Sequence, residues 1–152
     1  SWCMLRQRVS RRERRERDPD SVLLLPRALP GFPSENEFVI LQQPEHFPLV
    51  YMQSLSTADL CFLALPVLSV EHDYDLCLSE EDADLLDLQR APLIGREALC
   101  LVLVAAHKTT PTANLLAPIV VNLRTRRTAQ CLNPEGAYSH QHELLAAMEA
   151  AV

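Results

Sequence analysis

Asn114-Leu115-Leu116-Ala117-Pro118-Ile119-Val120-Val121-Asn122 is the stretch that decides the fold. Pro118 has no N–H to give to a sheet ladder and pushes Ala117 out of the helical region. The chain therefore turns or extends at Ala117-Pro118. The β-branched run Ile119–Val121 then favours a strand. Apolar residues over a strand's length predict burial on both faces, as in the middle of a barrel or sandwich. Asn114 and Asn122 stand at the two ends. An asparagine there can bond nearby backbone and hold a turn.

Working outward, Ala98–Ala106 is the longest strand candidate, and Thr128–Leu132 is a returning strand after a basic hairpin turn at Arg124–Arg127. Upstream, Ser21–Leu25, Phe38–Leu41, Val50–Ser54 and Leu60–Leu65 are short apolar strands, the last stopped by Pro66. Pro26, Pro30-Gly31 and Pro33 punctuate a loop that Phe32 anchors in the core. Asp73–Leu78 alternates polar and apolar residues. That period of two predicts a strand with one wet face, with Glu71, Asp73 and Asp75 pointing outward. Ser79 is placed as a helix N-cap, with Glu80, Glu81 and Asp82 in the first turn, where the helix dipole favours anions. Leu85, Leu86 and Leu88 give that helix its apolar face, Ala91-Pro92 ends it, and Pro92–Arg96 is a loop containing Gly95. Asn133–Gly136 is a turn. Glu143–Val152 has the spacing of a terminal helix, with Leu144, Leu145 and Met148 on one face.

About eight short strands close most naturally as a compact antiparallel barrel. The expected fold is mostly β: a barrel-like single domain with one short acidic helix and a C-terminal helical tail. The expected divisions are a basic, disordered extension at 1–17, the β domain at 18–144, and the tail at 145–152.

A chain of 152 residues is long enough to bury a core without metal or disulfide staples. Aromatics make up only 5 % of it, so aliphatic side chains must build that core. Seven of the fourteen basic residues are arginines within Ser1–Arg17 (Arg6, Arg8, Arg11, Arg12, Arg14, Arg15 and Arg17). From Asp18 onward seven basic residues face eighteen acidic ones, a net charge of −11. Such a body repels nucleic acid and suits a basic partner. The arginine run would itself suit RNA or a lipid surface, which makes a nucleic-acid binder a rival class. Cys3, Cys61, Cys77, Cys100 and Cys131 are odd in number and form no CxxC pair. Cys61, Cys77, Cys100 and Cys131 sit in aliphatic runs, so free buried thiols in a reducing cytoplasm are expected. No apolar run approaches the roughly 20 residues that span a bilayer. Ser1–Arg17 lacks the apolar core of a signal peptide.

The candidates for chemistry are thin. His107, His140 and His142 with a cysteine offer metal-ligand types without finger-like spacing. Ser54, Ser56, Ser69 and Ser79 lack a nucleophile elbow. Cys131 sits in an apolar strand, where a thiol stays protonated. With Gly31, Gly95 and Gly136 the only glycines, there is no phosphate-binding loop. No catalytic residue, metal or cofactor is assigned. A small enzyme on a β-barrel remains the other rival class.

Several motifs in a fixed order carry a resemblance. They are Leu29-Pro30-Gly31-Phe32, Tyr51-Met52-Gln53-Ser54-Leu55, Asp59-Leu60-Cys61-Phe62, the stretch Asn114–Asn122, and Tyr138-Ser139-His140. Together, from about Ser21 to about Leu144, they resemble the bacterial flagellar assembly factor family FliW. The resemblance implies a β-barrel-like fold and two exchanging protein partners: flagellin, and the dimeric RNA-binding repressor CsrA. In that scheme the protein blocks CsrA on flagellin messenger RNA until unexported flagellin draws it away. It also implies a cytoplasmic protein, expected here as a monomer, with no nucleic acid or membrane of its own to bind. The family's N-terminal Thr-Arg-Phe-Gly type strand is missing from Ser1–Arg17, and no glycine stands near Arg127-Thr128-Ala129. The signature residues Leu29, Pro30, Gly31, Phe32, Gln53, Asn114, Leu115, Leu116, Ala117, Pro118, Asn122 and Tyr138 are expected to shape the fold. Contacts to a basic partner are expected at Glu71, Asp73, Asp75, Glu80, Glu81 and Asp82.

Overall fold

The computed structural model describes residues 21–106 and 110–144. Nine strands run β1 (Val22–Leu24), β2 (Glu37–Gln42), β3 (Val50–Ser54), β4 (Cys61–Pro66), β5 (Ala98–Ala106), β6 (Pro111–Ala113), β7 (Ile119–Asn122), β8 (Thr128–Gln130) and β9 (His142–Glu143). One helix, α1 (Glu80–Leu86), lies between β4 and β5. All strand pairings are antiparallel: β1-β2-β3-β4-β5 in order, then β5 with both β6 and β7, β6 with β9, and β7 with β8.

The sheet curls without closing into a full barrel. One parallel bridge, Leu24 to Arg127, joins its two ends, and the Leu24 N–H donates to the Arg126 carbonyl at 3.0 Å. The curl follows from where the apolar side chains point. Leu23, Phe38, Met52, Phe62, Leu101, Ile119 and Val121 come from six strands and share one buried cluster. Leu65, Cys100, Val102, Val104 and Val120 point to the opposite face. There they pack with Tyr74, Leu76, Leu78 and Leu86, the segment and helix that follow β4. β7 is buried at every residue because it feeds both clusters. An unbroken apolar strand is the expected signature of that position.

The sequence expectations meet four corrections. Residues 71–78 do not form a strand, although their alternation is real: Tyr74, Leu76 and Leu78 are buried, while Asp73 and Asp75 are exposed. Their backbone is bonded mainly by side chains rather than by a neighbouring strand. The helix ends at Leu86, not at Ala91-Pro92, because Asp87 adopts a left-handed conformation (φ 55°) and caps it. β4 does end at Pro66, but Pro66 is its last residue rather than the first beyond it, a terminal position where a missing N–H is tolerated. Glu143 lies in β9, paired with Thr112, and Leu144 donates to the Pro111 carbonyl, so no helix begins there. The arginine run of Ser1–Arg17 and the tail 145–152 lie outside the described residues.

Candidate functional site

Asn122 shows how the sheet and the acidic helix are tied. Its Oδ1 accepts from the Arg124 and Thr125 N–H groups at 2.8 and 3.2 Å, which fixes the β7–β8 turn. Its Nδ2 donates to the Leu86 and Asp87 carbonyls at 2.8 and 3.1 Å, which satisfies the end of α1. A helix leaves its last carbonyls unpaired, and here a buried side chain takes two of them. At the other end of the opening stretch, Asn114 Oδ1 accepts from the Ala117 N–H at 3.0 Å. Leu115 and Pro118 are buried, and Leu116 and Ala117 are half-buried. Both asparagines hold turns, as the sequence suggests.

Other signature residues also make contacts within the fold. Leu29 is buried, Gly31 takes φ 87° in the Pro30-Gly31 turn, and Phe32 meets Phe62 edge-on with ring centroids 5.1 Å apart. Gln53 is fully buried, and its Nε2 faces the carbonyls of Ser54, Ala58 and Leu60 at 3.0–3.2 Å, holding the β3–β4 turn. Tyr138 stacks on Tyr74 at 4.3 Å, and its hydroxyl oxygen accepts from the Asp75 N–H at 2.9 Å. Gly136 permits that placement, since a Cβ there would fall 2.1 Å from Tyr138 Cε2.

The acidic residues divide. Asp73, Asp75, Glu80 and Glu81 are exposed and Glu71 is half-buried, all on the segment that runs into α1. Asp82 is different. It is buried and its Oδ1 pairs with Arg27 Nη1 at 2.7 Å, so its charge is engaged inside the fold. Arg27 also donates to the Gln130 carbonyl at 2.9 Å, tying the loop after β1 to β8. Burial works against the Arg27 charge, but Asp82 outweighs it and raises the guanidinium pKa. Among the described residues, Glu71, His72 and Asp73 are the group that brings three metal-type ligand atoms within 4.8 Å of one another, and His72 and Asp73 are open to solvent. His140 and His142 join no such group, and His107 lies outside the described residues.

The nucleophile candidates are occupied or inert. Ser79 Oγ accepts from the Asp82 N–H at 3.1 Å as the helix cap. Ser54 and Ser56 donate to Glu35 Oε2 at 2.5 and 2.6 Å, and Thr57 donates to Oε1. Burial pushes the Glu35 carboxyl up, but these three hydroxyls overcome it and hold it below the usual range. Burial pushes the Cys131 thiol up to about 12 and raises Cys100 as well. Cys77, Cys100 and Cys131 are free thiols, and Cys77 is the half-buried one.

Sequence reasoning missed Glu35, Arg27 and Asn133. Each is a single polar residue in a loop, with nothing nearby to mark the partner that the fold brings to it. Asn133 Nδ2 donates to the Asp75 carbonyl at 2.9 Å, and its Oδ1 accepts from the Cys77 N–H at 3.1 Å.

These features define a class: an antiparallel β scaffold, with one α-helix among the described residues, whose buried polar groups hold loops and whose acidic segment faces solvent. Residues 7–144 match the family model described as FliW protein. The flagellar assembly factor FliW of Bacillus subtilis (strain 168) is 30% identical over 125 residues, covering 82% of this chain and 86% of that protein. The protein of the same name from Desulfitobacterium hafniense (strain Y51) is 33% identical over 132 residues, covering 87% and 86%. A crystal structure of the flagellar assembly factor FliW superposes with a TM-score of 0.73 at 26% identity, covering 86% of this chain and 89% of that one. The chain belongs to the FliW family of flagellar assembly factors, and so to flagellum biogenesis. None of its helices, among the described residues, is long and apolar enough to cross a membrane.

Proposed function

We propose that this protein acts in the cytoplasm as a monomer that binds flagellin and the translational repressor CsrA in exchange, relieving CsrA repression of flagellin messenger RNA. No covalent step is needed. Two partners compete for one protein, and the tighter or more abundant complex draws it. Accumulating unexported flagellin takes the assembly factor, and the freed repressor then lowers flagellin synthesis.

The observation that carries this reading is the acidic run of exposed Asp73, Asp75, Glu80 and Glu81 with half-buried Glu71, on a FliW scaffold with a strongly negative body. A protein that binds RNA presents positive surface, and complementary charge speeds its encounter with an acidic partner. Asp82 is omitted from this surface because Arg27 holds it.

Replacing Asp73 and Asp75 with lysine tests the reading. Both side chains are exposed, so the double variant should fold as the native protein does, and it is expected to keep flagellin binding. Calorimetry at low salt should show CsrA affinity reduced by about tenfold or more, through slower association. Unchanged CsrA affinity would remove these residues from the site. Failure of the native protein to bind either partner would remove the exchange mechanism.

A further inference from the structure

We infer that Glu71–Leu78 is a strap that opens as a unit while the sheet stays intact, with Asn133 as its latch. The strap has the alternation of a strand, yet no strand pairs with it. The Asn133 side-chain amide takes the place of a neighbouring strand, bonding the Asp75 carbonyl and the Cys77 N–H together. Tyr138 accepts from the Asp75 N–H, and the Tyr74 hydroxyl donates to the Leu115 carbonyl at 2.6 Å. At the far end the Leu78 N–H donates to the Arg90 carbonyl at 2.7 Å, and Arg90 Nε returns a bond to the Leu78 carbonyl at 2.8 Å. Leu76, in the middle, forms no backbone hydrogen bond among the described residues.

The contrast with β5 sets the expectation. β5 is laddered to β4 on one side and to β6 and β7 on the other, so it separates only when the sheet does. The strap is held through a few side chains of the 133–138 segment and through Tyr74, Leu76 and Leu78. Segments with few ladder bonds open with less free energy than the whole fold. Opening lifts Tyr74, Leu76 and Leu78 from the face that carries Leu65, Val67 and Leu115, and it moves Asp73 and Asp75 with them. The inference concerns the free protein and holds whichever partner binds.

Native-state hydrogen exchange, followed by NMR at increasing denaturant, tests it. The Asp75 and Cys77 amides should exchange about tenfold or more faster than the Val102 amide of β5, with a shallower denaturant dependence. Val121→Ala weakens the opposite cluster in both the closed and the strap-open states. It should speed Val102 and leave Asp75 and Cys77 unchanged. Asn133→Ala removes bonds that only the closed state has, so it should speed Asp75 and Cys77 by about tenfold. If Asn133→Ala does not fold, Tyr138→Phe and the native protein decide. Strap amides that share the denaturant slope of Val102, or that follow it in Val121→Ala, would overturn the inference.

Discussion

Asn122 makes four hydrogen bonds that join the β7–β8 turn to the end of α1. Asn122→Ala strands buried backbone groups on both elements and should cost about 2–3 kcal/mol in chemical denaturation. Ala137 sits at φ 55°, where a Cβ is strained, so Ala137→Gly should stabilise by about 0.5–1 kcal/mol. Glu35 gives a pH signature. Its folded pKa lies below the ordinary value of 4.5, so its contribution to stability is present above that pH. It is lost as pH falls through the folded pKa. Comparing urea unfolding of wild type and Glu35→Gln should show a gap that is widest near neutral pH and narrows below pH 4.5. Asparagines flanking an apolar strand can be recognised in a sequence because their bonds are local. Glu35 cannot, because its donors lie 19 to 22 residues away.

Elements were legible where they depend on local chemistry. Ser79 was placed as a cap from its position before three acids, and its Oγ does accept from Asp82. Ser79→Ala should therefore cost about 1 kcal/mol by thermal or urea unfolding. The strap shows the limit of the same reasoning. A period of two reports which side chains are buried, and it did so correctly for Tyr74, Leu76 and Leu78. It does not report what bonds the backbone. A distant asparagine provided those bonds, so a strand-like pattern produced no strand. The end of α1 was misplaced for a similar reason. Asp87 in the left-handed region stops it one residue after Leu86, and Asn122 and Arg124 hold Asp87 in place.

At the scale of the whole molecule, the sheet curls around one apolar cluster and uses its other face to seat the strap and helix. That arrangement buries Cys100 and Cys131 while leaving Cys77 half-buried. Alkylation of the native protein, mapped by peptide mass, should modify Cys77 before Cys61, Cys100 or Cys131. The charge asymmetry also belongs to this scale. Exposed acids follow one another at Asp73, Asp75, Glu80 and Glu81, while Asp82, one residue further on, is turned inward to Arg27.

The sequence by itself determined the strand-rich class, the two-sided burial of Ile119–Val121, the turns held by Asn114 and Asn122, the cap at Ser79 and the family. Each follows from residue types within a few positions of one another. The tertiary structure alone decided that the sheet stays short of closure, that Asn133 stands in for a strand beside Asp75 and Cys77, and that Asp82 faces Arg27 rather than solvent. Those outcomes join residues 55 to 58 positions apart or more, and no local preference encodes which distant side chain will arrive.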